Sequence, residues 1–311
     1  MTGKLDGGAA RRLRVLVTAL LTVFAVRPAR AVDVTVDRST IYQTIEGFGF
    51  FGARDVWWGN SADMVTDAWV NQVIDDLGIS AWRNEYYPDE ANQDANWTKQ
   101  LPVVAALKAK ADAASVPLKF LVTVWTPPSA MKCALDGNDL PIDGTPNPGG
   151  TKDGGALCTN QKAALAEWLK AGLRLYRDAG IDVYGLSFQN EPLFVEFYNS
   201  CVYAPAYYAE VLADIGPTIK ADFPDVKFFG SENMLAMEGG ADRQWFYAQA
   251  IHDSAAATAQ LDALAVHGYS DGVLPTPSSA TAQLWTTLRS DYAVPMNKPV
   301  WMTETSGFNE I

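Results

Sequence analysis

Two glutamates stand at the carboxyl ends of apolar runs that resemble buried strands. Glu191 is the last residue but one of the stretch LSFQNEP, at residues 186–192, and Glu304 lies near the end of PVWMTET. Two carboxylates in one cleft can divide acid and base work between them. A protonated one can donate to a leaving oxygen while an ionised one attacks carbon or activates water. The pair is therefore predicted to suit the cleavage of a glycosidic bond.

Further polar and aromatic side chains near strand ends could support this chemistry. Arg83 in WRNEYYP and Tyr269 in VHGYS are placed to hold a nucleophilic carboxylate in its ionised form. Trp125, which precedes Thr-Pro-Pro at a strand end, is predicted to stack on a sugar ring. Trp57, in the loop after the first strand, fits a stacking surface and the core equally well. His267 is predicted to be a hydrogen-bonded pocket residue, because the two carboxylates already supply the acid and the base.

The sequence leaves structural alternatives open for these residues. An ion pair between Arg83 and Glu304 that served only stability would produce the same pattern. Glu85 and Glu232 also lie near strand ends, where they are predicted to be secondary cleft residues or partners in loop salt bridges. Residues 136–153 carry several aspartates, but an oxygen ligand that a calcium loop needs is missing from their spacing. We predict a solvated loop there, on the rim of the cleft.

Composition limits the partners that the chain can have. It has 311 residues, 48% of them hydrophobic, a formal net charge of −12 and a sequence pI near 4.6. Such an acidic chain repels phosphate backbones, so no nucleic-acid partner is predicted. The two histidines stand outside any HExxH or CxxC motif. We therefore predict no metal and no cofactor, and a monomer that takes an oligo- or polysaccharide.

Strand-like and helix-like segments alternate from residue 46 onward. Amphipathic stretches with apolar positions three and four apart, two of them closed by Gly78 and Gly180, separate the apolar runs. The apolar runs are GFGFFG, ISAWRNEYY, LKFLVTVW, VYGLSFQ, KFFGSEN, ALAVHGY and PVWMTET. This alternation predicts parallel strands, either in an open doubly wound sheet or in a closed barrel. No Gly-x-Gly-x-x-Gly turn follows the first strand, and polar residues gather at several strand ends, which favours a (β/α)8 TIM barrel.

The predicted barrel is incomplete, because only seven strands can be counted over residues 46–311. We interpret the sequence as part of a longer protein whose eighth strand would follow. Residues 32–45 alternate with a period of two, which is typical of a half-exposed antiparallel strand. They are predicted to join a side β-sandwich.

The first 31 residues are predicted to be a signal peptide. Three arginines precede the apolar run VLVTALLTVFAV, and a small-x-small site ends at Ala31. The protein is accordingly predicted to be secreted, with no membrane attachment after cleavage. In that setting Cys133 and Cys158 could form a bridge that pins the stretch between them, with Cys201 left over; three unpaired thiols fit the sequence equally well.

The motifs GFGFFG, LVTVWTPPSAMK, GLSFQNEP and VWMTET occur in the order found in glycoside hydrolase family 30. From about residue 32 onward the chain resembles this family of retaining (β/α)8-barrel glycosidases. The resemblance implies that Glu191 is the acid/base and Glu304 the nucleophile. It also implies that Asn190 binds the sugar 2-hydroxyl and that Trp125 lines the pocket of the attacked sugar. Tyr269 and Arg83 match residues beside and beneath the nucleophile; the eighth strand and the side sandwich of the family are missing.

The resulting functional prediction is a secreted retaining β-glycosidase acting on a wall polysaccharide by double displacement. Within the family, an endo-β-1,4-xylanase of glucuronoxylanase type is the first expectation, followed by a β-1,6-glucanase or β-1,6-galactanase. The alternative from another class is a catalytically incomplete barrel fragment that only binds carbohydrate.

Overall fold

The computed structural model describes residues 37–41, 43–52, 65–88, 97–238, 246–269 and 279–305. They fall into two compact units, Met1–Ile45 and Glu46–Ile311. The predicted signal peptide and Trp57 lie outside the described residues.

The described residues of the first unit form a turn. The Asp37 carboxylate accepts hydrogen bonds from the Ser39 backbone N–H, at 2.9 Å, and from the Thr40 hydroxyl, at 3.1 Å. Such local bonds compete with strand pairing. The strand predicted over residues 32–45 is therefore not formed within residues 37–41 and 43–45. The side β-sandwich stays a prediction.

The second unit is built on a sheet of seven parallel strands, in the order β1-β2-β3-β7-β8-β9-β10, beside a three-stranded sheet in the order β5-β4-β6. The strands of the described residues are β1 (Gly49–Phe51), β2 (Ala81–Glu85), β3 (Lys119–Thr123), β4 (Lys132–Leu135), β5 (Pro141–Pro146), β6 (Ala156–Leu157), β7 (Val183–Ser187), β8 (Lys227–Met234), β9 (Leu261–His267) and β10 (Val300–Glu304). The seven parallel strands fall on the seven predicted apolar runs, which confirms them.

Helices connect the parallel strands as the apolar periodicity predicts. They are α1 (Asp67–Asn71), α2 (Trp97–Ala113), α3 (Lys162–Asp178), α4 (Pro205–Asp222), α5 (Leu235–Glu238), α6 (Phe246–Asp253), α7 (Ala255–Gln260), α8 (Ala280–Thr287) and α9 (Val294–Met296). Wider π-type turns at Gln72–Asp76 and Leu288–Ala293 extend α1 and join α8 to α9, and single 3₁₀ turns lie at Ser129–Met131 and Thr159–Gln161. Nothing among the described helices has both the length and the apolar character needed to cross a bilayer.

Strand β2 shows how the sheet aims its side chains, which alternate between two faces along a strand. Asn84 points outward to the helices and donates a hydrogen bond to the Tyr176 hydroxyl on α3, at 2.9 Å. Arg83 points to the inner face, where only 2% of it is exposed. Glu85 therefore faces inward as well, one layer closer to the carboxyl end of the strands.

The two edge strands of the large sheet approach the same group, which shows that the sheet curls. Glu46, just before β1, accepts a hydrogen bond from the Trp301 indole of β10 at 3.3 Å and another from the Tyr184 hydroxyl of β7 at 2.8 Å. Arg83 of β2 also reaches Glu304 of β10, at 2.7 Å. A flat sheet of this order would hold β2 and β10 far apart. The predicted incomplete TIM barrel is thus confirmed for the described residues.

The stretch 136–153 is mostly exposed, as predicted, but it is not a loop throughout. Part of it is strand β5, which pairs antiparallel with β4. The Asp136 carboxylate caps the connecting turn by accepting hydrogen bonds from the Asn138 and Leu140 backbone N–H groups, at 2.7 and 3.0 Å. These bonds convert a turn-rich sequence into a hairpin on the rim of the barrel.

A disulfide joins Cys133 to Cys158, across 25 residues that include the hairpin. The sequence left open whether Cys133 and Cys158 are bridged or unpaired, and the structure contains the bridge. Cys201 is a free, buried thiol. The bridge therefore joins the two ends of the segment that contains the hairpin.

Candidate active site

Glu191 follows β7 at the point where the strand leaves the barrel. The Asn190 backbone N–H donates to the Val124 carbonyl at 2.7 Å, so the chain stays beside the end of β3 three residues beyond the last residue of β7. Glu191 then adopts the left-handed backbone conformation, with φ of 42°. A non-glycine residue in that region costs on the order of 1 kcal/mol and is typical of functional sites. The turn lifts the carboxylate out of the strand and into the mouth of the barrel.

Glu304 ends β10 on the opposite side of the mouth. Its carboxylate accepts hydrogen bonds from the Arg83 guanidinium, at 2.7 Å, and from the Tyr269 hydroxyl. Burial by itself would raise the pKa of Glu304, but the positive charges of Arg83 and His267 and the bond from Tyr269 lower it below its usual value. Glu304 is therefore ionised at neutral pH, as a nucleophile must be.

Arg83 holds several groups in position at once. Its Nε donates to the Thr123 hydroxyl at 3.0 Å, and one terminal nitrogen donates to Asn190 Oδ1 at 2.8 Å. The same terminal nitrogen lies 2.9 Å from a carboxylate oxygen of Glu232. Because a guanidinium presents its donors in a rigid plane, these contacts fix the orientation of Asn190 relative to Glu304.

Glu232, on β8, is completely buried and places a second negative charge next to Arg83. Burial would raise the pKa of Glu232, but Arg83 and His267 lower it to about 2. Arg83 thus faces two ionised carboxylates, Glu232 from below and Glu304 from the mouth. The ion pair between Arg83 and Glu304, which on the sequence could have served stability alone, is present. The same contact lowers the pKa of Glu304.

His267 ends β9 and contacts the other carboxylate. Its Nδ1 lies 2.8 Å from Glu191 Oε1, and its Nε2 lies 3.7 Å from Glu232. Burial would lower the pKa of His267, but the hydrogen bond to Glu191 and the nearby carboxylate of Glu232 raise it above its usual value. The ring therefore lies between Glu191 and Glu232 and orients Glu191.

The separation of the two catalytic candidates distinguishes two mechanisms. A carboxylate oxygen of Glu191 and one of Glu304 lie within 4.8 Å of each other. Retaining glycosidases place their carboxyl groups ~5–5.5 Å apart, whereas inverting enzymes need roughly 6.5–9.5 Å to admit a water molecule. The spacing fits direct attack by one carboxylate on the sugar.

Trp125 and Phe51 form an aromatic wall over Arg83. The two rings stack with centroids 5.1 Å apart, and the Arg83 guanidinium carbon lies 4.8 Å from the Phe51 centroid and 4.9 Å from that of Trp125. Trp125 is half-buried. One part of its surface therefore serves packing, and its stacking on a sugar stays a prediction.

Sequence reasoning overlooked two contributors to the site. They are Phe51, predicted only as part of the first strand, and Thr123. Both occupy the last inward-facing position of their strands, so the period-two alternation of β1 and β3 could have identified them. Glu232, predicted to be a secondary cleft residue or a partner in a loop salt bridge, is the buried partner of Arg83.

Among the described residues, two groups of side chains are close enough together to hold a cation, but both already have other partners. Glu191, His267 and Glu304 are close enough together to hold an ion. However, the Arg83 guanidinium lies 2.7 Å from Glu304 and would repel one. The other cluster, Cys133, Asp143 and Cys158, has its sulfur atoms joined in the disulfide. Neither set fits a metal.

Glu85 supplies a test of the electrostatics of the mouth. It is 7% exposed. Burial raises the pKa of Glu85 to about 8, against hydrogen bonds from Tyr87 and Asn199. A folded-state pKa above the unfolded value means that stability is full below pH ~4.5 and is lost as pH rises through 8. Glu85→Gln keeps the shape and removes the charge, so at pH 8 it is expected to raise the free energy of unfolding by roughly 3 kcal/mol.

Urea unfolding of the Glu85→Gln variant at pH 4 and pH 8 checks this expectation. The gain should vanish at pH 4, where the carboxyl is neutral in both states. A gain of the same size at both pH values would contradict the assignment of a neutral, buried carboxyl.

The fold and the site together define an incomplete (β/α) barrel with two carboxylates paired at its mouth. No protein-family model matches the chain. Among curated proteins, it is 24% identical over 276 residues to "Putative glucosylceramidase 1" of Caenorhabditis elegans, which covers 79% of this chain and 49% of that protein.

Solved structures of the same fold include two polysaccharide hydrolases. A family 30 subfamily 8 xylanase from Clostridium acetobutylicum superposes with a TM-score of 0.60 at 21% identity, over 84% of this chain and 56% of that one. An endo-β-1,6-glucanase superposes with a TM-score of 0.69 at 19% identity, over 88% of this chain and 60% of that one. The chain thus spans about half to three-fifths of the length of these relatives. The resemblance to glycoside hydrolase family 30 that its motifs predicted is confirmed.

Proposed function

We propose that the protein is a retaining glycoside hydrolase that cleaves a polysaccharide through a covalent intermediate. The observation that carries this proposal is the pair Glu191 and Glu304, with oxygens within 4.8 Å of each other. Their environments differ: Arg83 and Tyr269 hold Glu304 ionised, and the Glu191 carboxyl lies 2.8 Å from His267 Nδ1.

The two steps follow from these positions. Glu304 attacks the anomeric carbon and forms an ester bond, while Glu191 gives its proton to the departing glycosidic oxygen. In the second step Glu191 takes a proton from water, whose oxygen attacks the same carbon and releases Glu304 as a carboxylate. Two inversions leave the configuration of the sugar unchanged. Asn190, oriented by Arg83, is placed to hydrogen-bond the sugar 2-hydroxyl, whose bonds strengthen in the transition state.

The substrate that we propose is a neutral wall polysaccharide. A β-1,4-xylan and a β-1,6-glucan, each cleaved within the chain, are the first candidates, because the similar structures include a xylanase and an endo-β-1,6-glucanase. We also propose that the protein is exported. The basic and apolar residues at its start and the disulfide of Cys133 with Cys158 support export, since such bridges persist in oxidising compartments.

Replacing Glu191 by glutamine tests the acid/base assignment. Without a proton donor, kcat/KM on a polysaccharide is expected to fall by on the order of 10³. A glycosyl fluoride needs little protonation to leave, so its first step, the glycosylation of Glu304, should proceed nearly as in the wild type. Steady-state turnover and the burst of released fluoride measure the two effects.

Glu210→Gln serves as the matched control, because Glu210 lies on the outer helix α4 and is 58% exposed. It should leave both rates unchanged. Unchanged polysaccharide turnover in Glu191→Gln would refute the acid/base role. Carbohydrate binding without any turnover in the wild type would favour the alternative of a binding barrel.

A further inference from the structure

Two aromatic side chains stand in solvent beside the proposed acid/base. Phe197 is 80% exposed and Tyr198 is 40% exposed. Their ring centroids lie 5.2 Å apart in an edge-to-face arrangement. Single exposed apolar residues are common, but a pair at the edge of a cleft indicates a binding surface. Both belong to the segment 192–200, which we call the rim loop and which begins directly after Glu191.

Hydrogen bonds to the neighbouring segment 151–155 hold the rim loop in place. The Glu196 carbonyl accepts from the Asp153 N–H at 2.8 Å, and the Ser200 N–H donates to the Thr151 carbonyl at 3.1 Å. The Ser200 hydroxyl accepts from Gly154 N–H at 3.0 Å. The loop is therefore built with defined geometry, and it keeps its aromatic rings outside instead of folding them into the core.

The rim loop also lies close to the catalytic centre. Burial, helped by the nearby carboxyl groups of Glu196, Glu191, Glu304 and Glu85, raises the pKa of Tyr198 to about 12. The phenol of Tyr198 therefore lies within the electrostatic field of both proposed catalytic groups, and the more exposed ring of Phe197 packs on it edge to face. The two rings form an exposed aromatic track on the loop that follows the acid/base.

The position of this track decides which part of the substrate it meets. Glu191 donates its proton to the glycosidic oxygen, so the group attached through that oxygen departs on the side of Glu191. An exposed aromatic surface on the loop that directly follows Glu191 is therefore on the path of the leaving group. We propose that Phe197 and Tyr198 form the leaving-group subsite of the cleft, a platform on which a neutral sugar ring stacks.

The chemistry of the rim loop favours a sugar over a lipid chain. A pyranose has an apolar face of C–H bonds, which packs on an aromatic ring, and an edge of hydroxyl groups that needs polar partners. The loop alternates in the same way, because Glu196 and Asn199 flank the two rings. The carboxylates of Glu196 and Glu304 near the rings would repel an acidic sugar, so the ring that stacks is uncharged.

This inference rests on the proposed function, and the test separates the two. Hydrolysis is measured on two substrates with the same glycone: a neutral oligosaccharide, β-1,4-xylo- or β-1,6-gluco-linked, that the wild type cleaves, and the corresponding glycosyl fluoride. The fluoride has no leaving sugar. Phe197→Ala is expected to lower kcat/KM on the oligosaccharide by about 10- to 100-fold, the loss of one buried aromatic face, and to leave the fluoride unaffected. Phe197→Trp should restore most of the loss.

Phe48→Ala is the matched control, since Phe48 is 69% exposed and precedes β1 at the opposite end of the barrel. It should change neither rate. An equal loss on both substrates in Phe197→Ala, or no loss on the oligosaccharide, overturns the platform. If Phe197→Ala loses more kcat/KM on an octyl glycoside of the same glycone than on the oligosaccharide, the two rings bind an apolar leaving group and the assignment to a sugar is overturned.

Failure of the proposed function gives a different result. If the wild type hydrolyses neither substrate, calorimetric titration of the same oligosaccharide into the wild type and into Phe197→Ala decides the matter. Weaker binding by the variant supports the platform, whereas equal binding, or no binding to the wild type, overturns it.

Discussion

Replacing Glu304 by alanine is expected to lower kcat on an oligosaccharide by on the order of 10⁵, because the nucleophile that forms the covalent intermediate is removed. The same change leaves a space beneath the anomeric carbon. Azide can enter that space and attack from the face that Glu304 uses. With a glycosyl fluoride as donor, azide should therefore restore turnover and yield a glycosyl azide of inverted configuration.

Product configuration, read by proton NMR, makes this prediction specific. Glu304→Gln fills the space and should not be rescued, so it is the matched control. For Glu191→Ala, in contrast, azide would replace the water of the second step and give a product of retained configuration. An azide product of retained configuration from Glu304→Ala would contradict the assignment of the two roles.

Replacing Arg83 by methionine is expected to lower the free energy of unfolding at pH 7 by about 3–5 kcal/mol, because it leaves two carboxylates buried without their partner. Arg83 is 2% exposed and contacts Glu232 at 2.9 Å and Glu304 at 2.7 Å. In the wild type it lowers the pKa of both carboxylates. Depressed folded-state pKa values add stability above the unfolded pKa, and this contribution is lost as pH falls.

The pH dependence separates this electrostatic effect from lost packing. The difference between the wild type and Arg83→Met should be largest near neutral pH. It should shrink below pH ~4, as the carboxylates of the unfolded chain and then of the folded chain take up protons. The acid limb of kcat/KM should also move to higher pH, because the pKa of Glu304 rises. The double variant Arg83→Met/Glu232→Gln should recover part of the stability, since it no longer buries an unpaired Glu232. An equal loss at pH 7 and pH 3 would contradict this explanation.

The barrel could be predicted because its strands are short apolar runs between amphipathic helices, and both patterns are local. The carboxylate pair could be predicted too, since Glu191 and Glu304 each end such a run. Their relation to His267 could not, because a 2.8 Å contact between β7 and β9 depends on the curvature of the sheet. That curvature arises from strands far apart in sequence.

The errors have local causes that composition conceals. The stretch 136–153 is rich in glycine, proline and aspartate, which indicate a loop. However, the Asp136 carboxylate closes a turn that allows β5 to pair with β4. Residues 32–45 alternate like a strand, yet within them Asp37 accepts hydrogen bonds from the Ser39 backbone N–H, the Ser39 hydroxyl and the Thr40 hydroxyl. Glu232 adopts the left-handed conformation, with φ of 59°, inside a strand. Strand periodicity gave no sign of it.

The central claim is that Glu304 attacks the sugar and forms a covalent bond with it. A 2-deoxy-2-fluoro glycosyl fluoride tests this most directly, because the fluorine at C2 slows both steps and the fluoride leaving group preserves the first. Mass spectrometry of the labelled, digested protein should find one glycosyl group on the peptide that contains Glu304, and none in Glu304→Gln. A label on another carboxylate, or a folded wild-type protein that hydrolyses the parent glycosyl fluoride without acquiring a label, would contradict the account.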